Sequence, residues 1–217
     1  MQELFTSGQF AGQYKSEYKD YQTLFTKIPE IEHQSSLILI SQEQCQEMLC
    51  LDEEFYPVKC LELEGVDNTE ILKNQGLKDE ESWSILIDLY EGNPVYLKNI
   101  ASLIKNVFLG KVTEFLAEDS LIITEDMKCR FSELFHRLSP IEQQIVFELS
   151  KSNQPVLRED LRQGLELSSM DLINGLQSLN RRCLLKRMEG EKILFNLSPV
   201  FREYLRQKLQ LTVNSQT

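Results

Sequence analysis

Apolar positions recur at helical spacing along most of this chain, and the clearest stretch runs from Glu80 to Lys105. Trp83, Leu86, Ile87 and Tyr90 lie three and four residues apart, as on one face of a helix. Gly92-Asn93-Pro94 interrupts the pattern. A glycine there can end one helix in a left-handed conformation, and a proline, lacking an N–H, suits the first turn of the next. The second helix reads Tyr96, Leu97, Ile100, Ala101, Leu103, Ile104 and Val107. Such an elbow sets backbone N–H groups and a rigid proline at a helix start, where an anionic or planar ligand can dock.

On either side, the pattern predicts further elements. Residues 1–34 are polar and dotted with aromatics, a loop followed by a short helix near Lys19–Ile28. Ser36–Ser41 is a continuous apolar run, the pattern of a strand buried on both faces. Gln42–Leu51 reads as a helix, and Val58–Leu63 alternates as a second strand. Asp67 with Glu70 forms a weak capping box for a helix closing at Gly76. From Asp79 to Leu138 the spacing predicts helices over 79–90, 93–107, about 110–118 and about 124–137. Ser139-Pro140 opens another, with Ile141, Ile145, Val146 and Leu149 on its apolar face. Gln154-Pro155-Val156 breaks it, a helix follows near Leu157–Gly164, and Ser168-Ser169 cap a third, up to Arg182. Cys183–Met188 and Ile193–Leu197 form a hairpin around a turn, and Pro199–Leu209 is a last helix. Three helices followed by a hairpin are the winged-helix plan. The fold class is therefore mainly α with a small α/β part.

Composition narrows the function classes. No run of about eighteen apolar residues exists to span a membrane, and MQELFTSGQF lacks the pattern of a secretory signal. Cys45, Cys50, Cys60, Cys129 and Cys183 are scattered, and with His33 and His136 they make no zinc-type spacing, so no metal is expected. Reduced thiols in a cytoplasm account for them. Asp52-Glu53-Glu54 reads as a solvated loop. Neither histidine is assigned a role, and His136 is read as a surface residue. The net charge of −11 argues against general nucleic-acid binding. It is unevenly spread: Lys128–Gln210 carries fourteen Lys and Arg against ten Asp and Glu, whereas residues 1–127 carry nine against twenty-four. Two chemically different halves suggest a composite protein.

Taken together, the α/β end, the LYEGNPVYLKNIA elbow, the helical stretch and LSPIEQQIVFELS leading into a winged helix resemble the NB-ARC module. That module is the nucleotide switch of STAND-class ATPases, here most like the bacterial, chiefly cyanobacterial, branch often fused to WD-repeat tails. The resemblance covers essentially the whole chain. It implies an α/β nucleotide-domain remnant at 1–78, a helical subdomain at 79–138, a winged helix at 139–210 and a tail at 211–217. Gly92-Asn93-Pro94 matches the family's GxP motif, which implies adenine-side contacts with bound ADP. Ser41 and Gln42 match the sensor position after the apolar strand. Leu197-Ser198-Pro199 stands where the wider family has Met-His-Asp, so Ser198 is the expected phosphate-side donor.

Several departures from the family bear on activity. No GxxxxGK[ST] occurs, so a phosphate cradle is lacking, and no apolar strand upstream of Leu37 ends in paired acids for magnesium. Gln42 replaces an arginine and cannot give its charge-assisted contact. The resemblance thus implies a fragment of a nucleotide-dependent signalling switch. It would bind ADP or ATP only with a completing N-terminal half, would not catalyse alone, and would need a protein partner. The alternative is a winged-helix DNA-binding regulator. Arg181, Arg182, Lys186 and Arg187 are its candidate phosphate contacts, and Asn174 and Gln177 could read adenine. The helix 168–177 carries an acid and no Arg or Lys, which favours a protein or intramolecular contact.

Overall fold

The computed structural model describes residues 2–45, 47, 58–67, 69–188, 190 and 192–214. The chain is mainly helical with one small sheet, as the spacing of apolar residues predicts. The helices are α1 (Lys19–Glu30), α2 (Glu70–Asn74), α3 (Trp83–Leu89), α4 (Pro94–Val107), α5 (Val112–Leu116) and α6 (Glu125–Arg137). They continue with α7 (Pro140–Ser150), α8 (Arg158–Gly164), α9 (Ser169–Arg181) and α10 (Pro199–Asn214). The strands are β1 (Val156–Leu157), β2 (Leu185–Met188) and β3 (Leu194–Leu197). Two compact units form, one from Met1–Leu61 with Leu134–Leu197, the other from Glu62–Glu133 with Ser198–Thr217.

In the first unit, α7 begins with a complete capping box. The Ser139 hydroxyl accepts from the Glu142 N–H at 3.3 Å, and the Glu142 carboxylate accepts from the Ser139 N–H at 2.7 Å. Ile145, Val146 and Leu149 are buried, and α9 packs closely on this face because Gly175 has no side chain. A Cβ there would sit 2.4 Å from the Ile145 side chain. Ser168 caps α9 by accepting from the Asp171 N–H at 3.1 Å. The sheet has order β1-β3-β2, all antiparallel, with Phe195 of β3 opposite both Val156 and Arg187. The hairpin and three helices form where the sequence places them. β1 was legible only as a break, because two residues are too short for any alternation.

The N-terminal stretch of this unit closes on itself. Phe5 and Tyr14 form an antiparallel bridge with their rings edge-on at 5.0 Å. Phe5, Phe25 and Cys45 make a buried cluster, against which Leu4, Tyr14 and Leu39 pack.

In this stretch two expectations are corrected. Ser36–Ser41 forms no strand: Ile38 and Ile40 are 83% and 80% exposed, and only Leu39 turns inward. Val58–Leu63 forms none either, with Leu61 and Leu63 exposed. An apolar run becomes a buried strand only where neighbouring strands satisfy its N–H and C=O groups, and no described strand lies beside these. The helix expected at Gln42–Leu51 lies largely outside the described residues, as do Cys50 and Asp52-Glu53-Glu54. Leu39→Glu would be harmless on an exposed strand. Here it is expected to cost about 1–2 kcal/mol, as a charge forced against an apolar cluster. Ile38→Glu is expected to be nearly neutral. Urea unfolding of the two variants checks this, and equal losses would refute the inward placement of Leu39.

The second unit holds α2 to α5, the first part of α6, and α10. Its core is built from Leu86, Ile87 and Tyr90 of the α3 end, Leu97, Ile100 and Ile104 of α4, and Phe115 and Met127, all buried. The Tyr90 hydroxyl, buried among them, donates to the Ile122 carbonyl at 2.8 Å. Aromatic packing then brings in α10: Phe131 lies 5.4 Å from Phe201 and 5.5 Å from Tyr204. The capping box expected at Asp67 is replaced by Thr69 at the cap, without a side-chain bond, while Gly76 is left-handed as predicted (φ 71°).

Candidate functional site

The elbow between α3 and α4 is built by two consecutive left-handed residues, Glu91 (φ 57°) and Gly92 (φ 62°). Their N–H groups close the end of α3. Gly92 donates to the Ile87 carbonyl at 2.8 Å and Glu91 to Asp88 at 3.1 Å. Asn93 is the cap of α4: its side-chain oxygen accepts from the N–H groups of Val95 at 3.0 Å and Tyr96 at 3.3 Å. Leu97 N–H donates to the Asn93 carbonyl, and Pro94 has no N–H. Every donor of the first turn of α4 is thereby occupied. Of the anionic or planar ligand expected at this helix start, a phosphate would have to displace the Asn93 cap. Pro94 and Val95 stay exposed and offer an apolar edge on which a planar ring can lie.

Gly92 is also covered from its own chain. The Val66 N–H donates to the Gly92 carbonyl at 2.9 Å, and a Cβ on Gly92 would lie 2.7 Å from the Val66 backbone. This residue shapes the elbow and offers little surface to a ligand.

Although 107 residues separate Glu91 from Ser198, the fold brings them together. Ser198, at the start of α10, donates its hydroxyl to the Glu91 carboxylate and accepts from the Phe201 N–H at 3.4 Å. One turn on, Arg202 is buried. Desolvation and the neighbouring Arg206 hold its guanidinium below its ordinary value, while Glu91 acts in the opposite direction. Beside them the Tyr96 hydroxyl is pushed up to about 12, chiefly by burial and further by the Glu91 charge. The Tyr96 ring packs tilted against Phe131, with centroids 5.6 Å apart, and Phe131's own contacts with α10 complete an aromatic floor. The cluster is a carboxylate, a hydroxyl and two guanidiniums over aromatic rings. Its apolar edge fits a planar base. Its polar part fits a phosphate only if Glu91 leaves the Ser198 hydroxyl, because two anions cannot share that donor. Glu91 and Arg202 were missed in the sequence, where charged residues on helical patterns read as solvated.

The remaining sequence-predicted residues lie in the first unit. Ser41 and Gln42 are exposed, with the Ser41 hydroxyl accepting from the Glu43 N–H at 3.2 Å. The basic quartet divides. Lys186 and Arg187 are exposed on β2, opposite Asn196 and Phe195. Arg181 is half-buried and donates to the Ala11 carbonyl at 3.3 Å. Arg182 is buried, which corrects its expected role as a nucleic-acid contact. It bonds Glu43 at 2.7 Å, Glu142 at 2.9 Å and the Gln9 carbonyl at 2.8 Å. Ser178 donates to Glu142 at 2.7 Å and accepts from the Ala11 N–H, while Arg137 reaches Glu43 at 3.0 Å. A buried guanidinium with two buried carboxylates is a structural tie between residues 9–12, residue 43 and helices α7 and α9.

Among the described residues no group of His, Cys, Asp and Glu could hold a metal ion, and no helix is long and apolar enough to cross a membrane. No family model and no solved structure matches the chain. It is 30% identical over 215 residues to an uncharacterized WD repeat-containing protein of Nostoc sp.. That match covers 95% of this chain and 17% of the relative, so the chain spans only a small part of the relative's length.

Proposed function

We propose that this chain is the helical and winged-helix segment of an NB-ARC-type, STAND-class signalling switch. In this reading it contributes adenine-side contacts to bound ADP and performs no catalysis of its own. The observation that carries the reading is the meeting of Glu91–Pro94 with Ser198, two motifs far apart in sequence that the resemblance assigns to one nucleotide site. The order of α7, β1, α8, α9 and the β2–β3 hairpin supports a winged helix. The WD repeat-containing relative supports a place beside an interaction domain, hence a protein partner. The phosphate loop and magnesium-binding acids would come from a nucleotide domain outside this sequence. Pro94 and Val95 would pack the base, and Arg202 would face a phosphate once Glu91 moves aside.

Thermal unfolding with and without excess ADP tests this. A binder gains about 2.7 kcal/mol at a hundred times its Kd, an upward shift of several degrees. Pro94→Ala, which removes the ring from an exposed position, is expected to abolish the shift and to leave the ligand-free midpoint within a degree or two. A midpoint that ignores ADP would mean that this chain alone holds no nucleotide and needs the completing domain. A shift that Pro94→Ala leaves unchanged would overturn the adenine contact at the elbow.

A further inference from the structure

Between α9, the start of α8 and the β2–β3 hairpin, the first unit contains an open groove of about 650 Å³. Its floor is apolar, formed by Ile173, Leu176, Ile193 and Phe195. Ile173 and Ile193 are 37% and 49% exposed. Arg158, Arg181, Arg187 and Lys192 rim it, and among the described residues of the lining Glu159 is the one carboxylate, itself 3.1 Å from Arg158. In a chain of net charge −11, a cationic ring around a greasy floor is a local reversal of sign.

We propose that this groove docks an acidic segment of a partner protein that carries apolar anchors. The groove volume lies in the range of pockets that bury such anchors. The rim supplies complementary charge, which steers approach and fixes register, while the floor supplies the desolvated contacts that hold the complex. Duplex DNA suits the groove poorly. The outward residues of α9 are Met170, Ile173 and Gln177, no Lys or Arg occurs on that helix before Arg181, and Asp171 near its start repels phosphate. Arg182, the cation that would complete a phosphate-binding cluster, is buried in the tie to Glu43 and Glu142.

The proposal stands apart from nucleotide binding, because none of the groove residues belongs to the Glu91–Pro94 and Ser198 cluster. A random-sequence peptide library displayed on phage, selected against the purified chain, tests it. The enriched peptides are expected to carry net negative charge with Leu, Phe or Trp anchors. Synthetic copies with each acid replaced by its amide should bind at least about tenfold more weakly by fluorescence polarisation. Ile173→Glu and the double variant Arg187→Glu with Lys192→Glu are each expected to weaken binding about tenfold or more. All of these positions are exposed, so unchanged circular dichroism and melting separate lost binding from lost folding. Enrichment of neutral or basic peptides, no enrichment, equal binding to the variants, or duplex DNA binding that the charge reversal abolishes would each overturn the proposal. Self-association in sedimentation that Ile173→Glu removes would give the groove to a second copy of this chain, which also overturns it.

Discussion

Replacing Arg182 with methionine is expected to cost about 3–5 kcal/mol of stability, the usual loss when one partner of a buried ionic cluster is removed. The size follows from what remains. Glu43 and Glu142 are 2% and 0% exposed, and Arg182 bonds both. Methionine fills much of the volume but leaves two carboxylates facing each other out of water. Arg137 still reaches Glu43 at 3.0 Å, yet it is partly exposed, so it offsets only part of the buried charge. Adding Glu43→Gln to Arg182→Met is therefore expected to return part of the loss, and the double mutant should fall short of the sum of the single effects. Denaturant unfolding reads all three variants. A loss below about 1 kcal/mol for Arg182→Met would mean that water reaches the cluster. Because Arg182 also holds the Gln9 carbonyl and Ser178 holds the Ala11 N–H, early proteolytic cleavage near residues 9–12 should accompany the loss.

How legible these features were depends on how local their causes are. The elbow was readable because glycine, asparagine and proline each act within four residues of themselves. The left-handed Gly92 and the Pro94 start form where the sequence places them, and Asn93 between them proves to be the cap. The Ser139-Pro140 helix start and the β2–β3 hairpin were readable for the same reason. The apolar runs at 36–41 and 58–63 misled because a buried strand is defined by neighbours rather than by its own residues. Neither segment has one among the described residues. The ionic tie was invisible for a related cause. Glu43 and Arg182 lie 139 residues apart, and nothing in either local sequence marks a buried charge. Glu142 completes the capping box at the start of α7 and also bonds Arg182, and the fold alone shows both. At the candidate site, Ser198 and Gly92–Pro94 came from motif resemblance. Glu91, which joins them, came from the fold.

Gly92→Ala is expected to destabilise the second unit by about 2–3 kcal/mol, the sum of a conformational and a steric part. Holding alanine at φ 62° costs roughly 1–2 kcal/mol. The added Cβ would then stand 2.7 Å from the Val66 nitrogen and oxygen, both backbone atoms that no side-chain rotation can clear. Segment 65–66 must withdraw, and the Val66 N–H bond to the Gly92 carbonyl goes with it, at about 1 kcal/mol. Gly76→Ala separates the two parts. Gly76 is also left-handed, at φ 71°, but nothing lies within 4 Å of its ideal Cβ. That variant is expected to lose only the conformational part, about 1 kcal/mol. Equal losses at the two glycines would remove the steric argument and reopen the covered face of Gly92 as a ligand surface. Unequal losses would mean that any effect of Gly92→Ala on ADP binding has to be measured well below the lowered melting point, because the elbow loosens before a pocket built on it can be judged. Pro94, exposed and outside the contact with Val66, is the position at which binding and folding come apart.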